Sequence, residues 1–438
     1  MIRFSFATLD SAYLAQRFIE KGETTFFAVD LYDLAIILVG LLITVAVILP
    51  RLISDRKILT APLLYLLTGA LVFLLPQAPA LPDLVENPWW PKRITELGVI
   101  VALTSAGLKL NRPFARYSWR ISWRLLAFTM PLTIIASAVL GWWALGFVPA
   151  TALLLGAVIA PTDPVLAADV QTSRPGKPDT SQTKLALTTE AGLNDGLAFP
   201  FTNLAIAVML VGTSPANWLS GWLAIDFFYK IIVGALVGFV SGWTLARLLF
   251  GFSATRRLAK TMTGITTLSL TLLPYGIAEL CASYGFIAVF AAACTFRQFE
   301  CDHEYQITLH DFSEEIERVM VAILMFFIGA YAVNVLSEYL TLNLFLVALA
   351  IIFLIRPLSG SLGLVGSQLS RKKRLAVSFL GIRGIGSIYY LAYAIYHVKF
   401  PDAMQLWTLI ITTIIVSVFV HGILANPIMS WALKEDKQ

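Results

Sequence analysis

Ala160-Pro161-Thr162-Asp163-Pro164 and, further along, Glu190-Ala191-Gly192-Leu193-Asn194-Asp195-Gly196 each set carboxylates inside a long apolar run. An ionisable group at membrane depth is costly, so by default it marks a functional site. The first stretch has a second peculiarity. Pro161 and Pro164 bring no amide hydrogen, so a helix through them leaves the carbonyls of Ala157 and Ala160 without donors. A residue that precedes proline also avoids the helical region, which disfavours helix at Asp163. The segment is therefore expected to unwind. In lipid, freed carbonyls are tolerated only where protein or water surrounds them. A dehydrating cation is expected to use those oxygens together with the Thr162 hydroxyl and the Asp163 carboxylate. The plainer alternative is a proline kink in which Asp163 caps the half-helix that follows it.

In the second stretch Glu190 and Asn194 are i, i+4 neighbours on one helix. Asp195 points about 100° further round. Three polar groups on one membrane helix need partners. Arg356 and Arg383 lie deep in later apolar runs, and arginine suits a permanent partner because it stays protonated. One acid is thus expected to bind the ion and another to be neutralised. For Arg383 two roles stay open: holding its own broken span through backbone carbonyls, or offsetting Asp163.

Outward from these segments the chain is apolar almost throughout. Of 438 residues, 58% are hydrophobic and 13% charged, where soluble domains carry about 25% charged residues. The apolar runs are long and unbroken, unlike the roughly 10-residue alternating segments of a β-barrel. The expected fold is an all-α polytopic membrane protein of thirteen spans, near 31–52, 60–76, 94–109, 123–147, 150–170, 183–212, 224–247, 262–281, 283–296, 315–336, 341–367, 374–396 and 404–431. Each is long enough for roughly 30 Å of hydrocarbon once tilt or a break is allowed.

Residues 1–30 form an N-terminal segment without the contiguous apolar stretch of a secretory signal. Nineteen Lys and Arg residues fall in alternate loops around 51–57, 109–124, 174–184, 247–260 and 371–374, against Lys92, Arg93 and Lys399 in the opposite loops beyond residues 1–30. That bias places the N-terminus outside and the C-terminus and its short tail 432–438 in the cytoplasm; a bacterial inner (plasma) membrane is the expected location. The net charge of +5 therefore reads as a topology signal, and no nucleic-acid partner is expected. The acidic segment 297–318 reads as a solvated cytoplasmic loop, with His303 and His310 as a minor route to pH sensing. Cys281, Cys294 and Cys301 lack metal-ligand spacing. No nucleophile elbow, zinc-protease helix or phosphate loop is present, so neither an enzyme nor a cofactor is expected. Asp169 and Glu96 are minor candidates, for an entry funnel and an internal boundary. His397 and His421 read as interfacial, and Trp89, Trp90, Trp142, Trp143, Trp218 and Trp222 as an aromatic belt.

An internal repeat is legible. The break near Asp163 in span five is matched by Gly381-Ile382-Arg383-Gly384-Ile385-Gly386 in span twelve, and Pro131 in span four by Pro357 in span eleven. A seven-span offset reverses direction. Spans one to six and eight to thirteen are then inverted repeats with crossed broken helices, joined by span seven. Matching breaks in two halves point to an ion site at the repeat interface.

Thr162-Asp163-Pro164, Glu190-x-x-x-Asn194-Asp195, Ile355-Arg356-Pro357 and Gly381-Ile382-Arg383-Gly384, in that order, resemble the monovalent cation/proton antiporter family, sodium/proton exchanger type, in its Asn-Asp branch. The resemblance implies thirteen helices in a homodimer. It implies a scaffold of spans within 31–109 and 262–336, a linker at 224–247, and a mobile ion-transporting core of 123–212 and 341–431. It implies Asp195 as the carboxylate shared by ion and proton, with Asp163, Thr162 and Asn194 beside it and Na+ at Asp163 and Asp195. It implies a structural pair of Glu190 with Arg356, with Arg383 left for charge compensation. The implied activity is electroneutral one-for-one exchange of Na+ or Li+ for H+ in pH homeostasis. K+/H+ exchange on the same scaffold is the nearest alternative, and a cation channel or ion sensor is the alternative of another class. The chain departs from the family pattern at Ala191, where Ser is frequent, and at Thr104-Ser105-Ala106-Gly107, which often includes an acid. Both departures remove ligand oxygens and bear on Na+ versus K+ selectivity.

Overall fold

The computed structural model describes residues 36–38, 40–45, 48, 60–76, 78, 80–110, 119–164, 166–167, 170–172, 181–250, 263–299 and 303–434. Among them the regular secondary structure is helical. Residues 36–38 and 40–45 are helical and fall in the first expected span. The other twelve expected spans coincide with α1 Ala61–Phe73, α2 Trp89–Lys109, α3 Arg120–Leu145, α4 Pro149–Ile159, α5 Gln182–Val211, α6 Leu219–Phe250, α7 Thr263–Leu280, α8 Gly285–Phe299, α9 His303–Tyr339, α10 Leu342–Gly363, the pair α11 Arg371–Phe379 and α12 Ile385–His397, and α13 Ala403–Leu433; of these, α3, α5, α6, α9, α10 and α13 are long and apolar enough to cross a membrane. The chain is a multi-pass membrane protein. Asp169, Arg174, Lys177 and the N-terminal segment 1–30 lie outside the described residues.

Helix ends follow local chemistry. Ser181, Thr341 and Ser370 accept backbone N–H bonds at the starts of α5, α10 and α11, as N-caps do. Gly146, at φ 70°, ends α3 in the left-handed conformation that glycine adopts without strain. Pro131 and Pro357 do not break their helices. Each follows a π-helical turn, Leu125–Thr129 in α3 and Ile351–Ile355 in α10. The wider turn re-registers the backbone bonds just ahead of a residue that offers no donor. The two turns occupy equivalent places in the two halves, as an inverted repeat requires.

The acidic segment departs from expectation. From His303 onward it is not a loop but the opening of α9. His310, Ser313 and Glu317 recur at three and four residues and are buried, so one face of this stretch packs inward while Glu315 faces out.

Close approach between helices runs through glycine, as in other membrane bundles. In α6, Gly234, Gly238 and Gly242 lie under the carbonyls of Tyr284, Ala288 and Ala292; a Cβ on Gly238 or Gly242 would sit 2.3 or 2.4 Å from its carbonyl oxygen. Gly69 of α1 and Gly329 of α9 make the same kind of crossing reciprocally. At the centre, α5 packs on α4, α8 and α12, while α2 packs on α8, α9 and α12. The two acidic segments thus end up buried where α4, α5 and α12 meet.

Candidate functional site

The first break runs from Ala160 to Pro164 after α4, and the second from Leu380 to Gly384 between α11 and α12. They cross, and each satisfies the other. Asp163 donates its backbone N–H to the Ile382 carbonyl at 2.8 Å. Its Oδ2 accepts from the Ile385 N–H at 2.6 Å, at the start of α12, and its Oδ1 from the Leu166 N–H at 3.0 Å. In return Arg383 Nη1 donates to the carbonyls of Ala160 and Pro161 at 2.5 and 2.9 Å. Asp163 therefore caps a helix in the opposite half of the chain, not only the turn that follows it. Arg383 holds the backbone of span five, not of its own span. Its backbone N–H goes to Ser417 Oγ at 2.8 Å, from α13.

Three glycines make room for these side chains. A Cβ on Gly381 would stand 2.3 Å from Arg356 Nε, one on Gly384 2.2 Å from Asp163 Oδ2, and one on Gly386 2.9 Å from Asp195 Oδ1. Contacts near 3 Å or below force a shift, so the run 381–386 is glycine-rich because carboxylates and a guanidinium press against its backbone. The amino end of α12, with its partial positive charge, faces both Asp163 and Asp195.

The α5 residues separate into two groups. Glu190 forms a two-pronged ion pair with Arg356, Oε1 to Nη1 at 2.7 Å and Oε2 to Nη2 at 2.8 Å, the fork geometry that arginine favours. Asn194 Nδ2 donates to Thr162 Oγ1 at 2.8 Å. Tyr390 donates to the Asp195 backbone carbonyl. Asp195 Oδ1, Asn194 Oδ1 and the nearby Ser387 hydroxyl are buried without a hydrogen-bond partner among the described residues. Buried oxygens normally find partners.

Asp163, Glu190 and Asp195, three acids, and Arg356 and Arg383, two bases, are all buried here. Ala191 is also buried, one turn before Asp195. Thr104 turns away from the site and bonds Thr271 of α7 at 2.8 Å.

Other site residues have weaker sequence signals. Gln171 links Lys109 Nζ at 3.2 Å to the Pro164 carbonyl at 2.6 Å, tying the end of α2 to the first break. Beyond Phe199 on α5, Asn203 donates to Asp226 Oδ1 at 2.8 Å and accepts from the Tyr393 hydroxyl at 3.3 Å. Lys230 pairs with the same Asp226 at 2.7 Å. An asparagine inside an apolar run carries the same cost signal as Asn194. His421 is not interfacial: it is buried, with Nε2 3.1 Å from the Phe379 carbonyl that ends α11. Glu96 accepts from Arg93 and from the Tyr275 hydroxyl. His397 packs on Tyr393, 4.4 Å between ring centroids.

The family described as "Sodium/hydrogen exchanger, transmembrane" matches residues 38–431. A K(+)/H(+) antiporter NhaP of Alkalimonas amylolytica is 23% identical over 403 residues, covering 91% of this chain and 67% of that protein. Na(+)/H(+) antiporter 1 of Methanocaldococcus jannaschii is 27% identical over 241 residues, 53% of each chain. The solved structure of the sodium proton antiporter MjNhaP1 from the same organism superposes with a TM-score of 0.67 at 20% identity, covering 92% of this chain and 99% of that one. That likeness shows the fold.

Proposed function

Because the chain belongs to the sodium/hydrogen exchanger family, whose members are transporters and not enzymes, we propose that it exchanges one Na+ or Li+ for one H+ across the membrane at Asp195. The observation that carries this reading is the excess of buried acids over buried arginines, three to two, at the crossing of the two breaks. Cation and proton exclude each other from one carboxylate, so coupling needs no separate gate. The bare charged site is the form that crosses least easily, because an uncompensated charge in the bilayer interior is costly. The loaded forms are neutral and free to move. The moving body is the core 123–212 and 341–431, carried past the scaffold 31–109 and 262–336 of a homodimer by elevator-type alternating access. The N-terminus lies outside and the C-terminus inside the inner membrane. A 1:1 exchange on this balance is electroneutral.

The test is Asp195→Asn reconstituted in vesicles with a pH-sensitive dye. The expected result is loss of cation-dependent dequenching while the protein still purifies as folded material. Wild-type dequenching in Asp195→Asn would overturn the assignment. K+/H+ exchange is the second reading, favoured by the K(+)/H(+) relative that aligns with 91% of the chain. Half-maximal concentrations for Na+, Li+ and K+ in the same vesicles decide between them.

A further inference from the structure

A cavity of about 500 Å3 lies between α3, α5, α6 and α8, away from the ion site. Trp119, Leu193, Leu197, Ala235, Ile287 and Gln298 mark its extent, and its lining is almost wholly apolar. Along α8 it runs from Ile287 to Gln298, about 16 Å at 1.5 Å per residue. That equals one leaflet of hydrocarbon, about 15 Å. Polarity is graded along this axis. The deep end is aliphatic and aromatic, while Thr295 and Gln298 sit at the other end. There the chain turns basic. Arg120 follows Trp119 directly, and Arg247 lies two turns beyond Phe239 on α6; both are exposed.

We propose that this cavity holds one acyl chain of an anionic membrane phospholipid, with its headgroup against Arg120 and Arg247. Length, polarity gradient and the sign of the charge at the mouth select this occupant. A chain with an anionic head at the basic leaflet surface and its tail reaching mid-membrane satisfies all three, and basic side chains at that level attract anionic lipid. Leu193 and Leu197 bracket Asn194 and Asp195 on α5, so the lipid would touch the helix that carries the transported charge. The inference does not depend on which ion is exchanged or on how the core moves.

Reconstitution with a trace of phosphatidylglycerol bearing a photoactivatable diazirine at mid-chain tests it, with adducts mapped by peptide mass spectrometry. Adducts are expected to concentrate in 193–197 and 287–291. They should fall about tenfold in Ala235→Trp, which fills the cavity, and persist in Leu236→Trp, whose neighbouring side chain is exposed. The double variant Arg120→Gln with Arg247→Gln alters only exposed side chains and should lower the phosphatidylglycerol yield to that of phosphatidylcholine carrying the same diazirine. Equal labelling of Ala235→Trp and wild type, or adducts spread evenly over the outer face of α6, overturns the site. Equal wild-type yields from the two lipids overturn the headgroup assignment.

Discussion

The Oδ2 of Asp163 accepts a 2.6 Å hydrogen bond from the Ile385 amide, so the carboxylate of one broken helix caps the first turn of the other. This bond gives Asp163 a structural role, whatever its part in transport. Asp163→Asn keeps an acceptor oxygen and should lower the melting temperature modestly. Asp163→Ala leaves the buried amide of Ile385 and the half-buried amide of Leu166 without their side-chain acceptor, at a cost of about 1–3 kcal/mol for the first and less for the second. Melting of detergent-purified protein, followed by size-exclusion chromatography, checks the order wild type, Asn, Ala. An unshifted Ala variant would show that the cap is dispensable.

Arg383 gives the reciprocal prediction. Arg383→Met strips two buried carbonyls of their donor, and stability should fall by about 1–3 kcal/mol per carbonyl. Arg383→Lys keeps the charge but not the planar guanidinium that brings Nη1 to both carbonyls, so it should lie between Met and wild type. If Arg383→Met melts normally but shifts the half-maximal cation concentration, Arg383 acts through its charge and not its hydrogen bonds.

The pair of Glu190 and Arg356 calls for a double-mutant cycle. Removing one partner strands a buried charge, which costs about 3–5 kcal/mol. Glu190→Leu and Arg356→Met singly should therefore express poorly, whereas the double variant should recover much of the loss. Additive losses in the double variant would mean that the two charges are compensated by other groups.

Ala191→Ser tests selectivity. It places a hydroxyl one turn before Asp195, on the same helix face. A neutral ligand oxygen worth about 1 kcal/mol should lower the half-maximal Na+ concentration about fivefold. Dequenching titrations with Na+ and K+ read it directly. An unchanged Na+ titration would remove position 191 from the ion's surroundings.

Much of this was legible before any coordinates. Two prolines three residues apart around Thr162 and Asp163 disfavour a helix, a glycine run at 381–386 is poor helix, and apolar runs of such length span a membrane. What the sequence leaves open is which break serves which. Local rules bring a capping residue to the helix that follows it, and they point Asp163 along its own span. Tertiary crossing sends its Oδ2 to Ile385 instead, and sends Arg383 to Ala160 and Pro161. The same limit hides His421 and Gln171, whose partners are backbone carbonyls with no sequence signature. The acidic stretch from His303 misleads for a different reason. Its charge density resembles a solvated loop, and only the spacing of His310, Ser313 and Glu317 betrays a buried helical face.

The mutual capping of the two breaks has a consequence for how the chain is made. When the first half has entered the membrane, the carbonyls of Ala160 and Pro161 and the Asp163 carboxylate have none of their partners from the second half. Those partners are on a segment still to be synthesised. Unsatisfied polar backbone is costly in hydrocarbon. The first half must therefore wait, shielded by water or the insertion machinery, until Arg383 and Ile385 arrive. Neither repeat satisfies its own break alone, and the crossing can close only after Arg383 and Ile385 have been made.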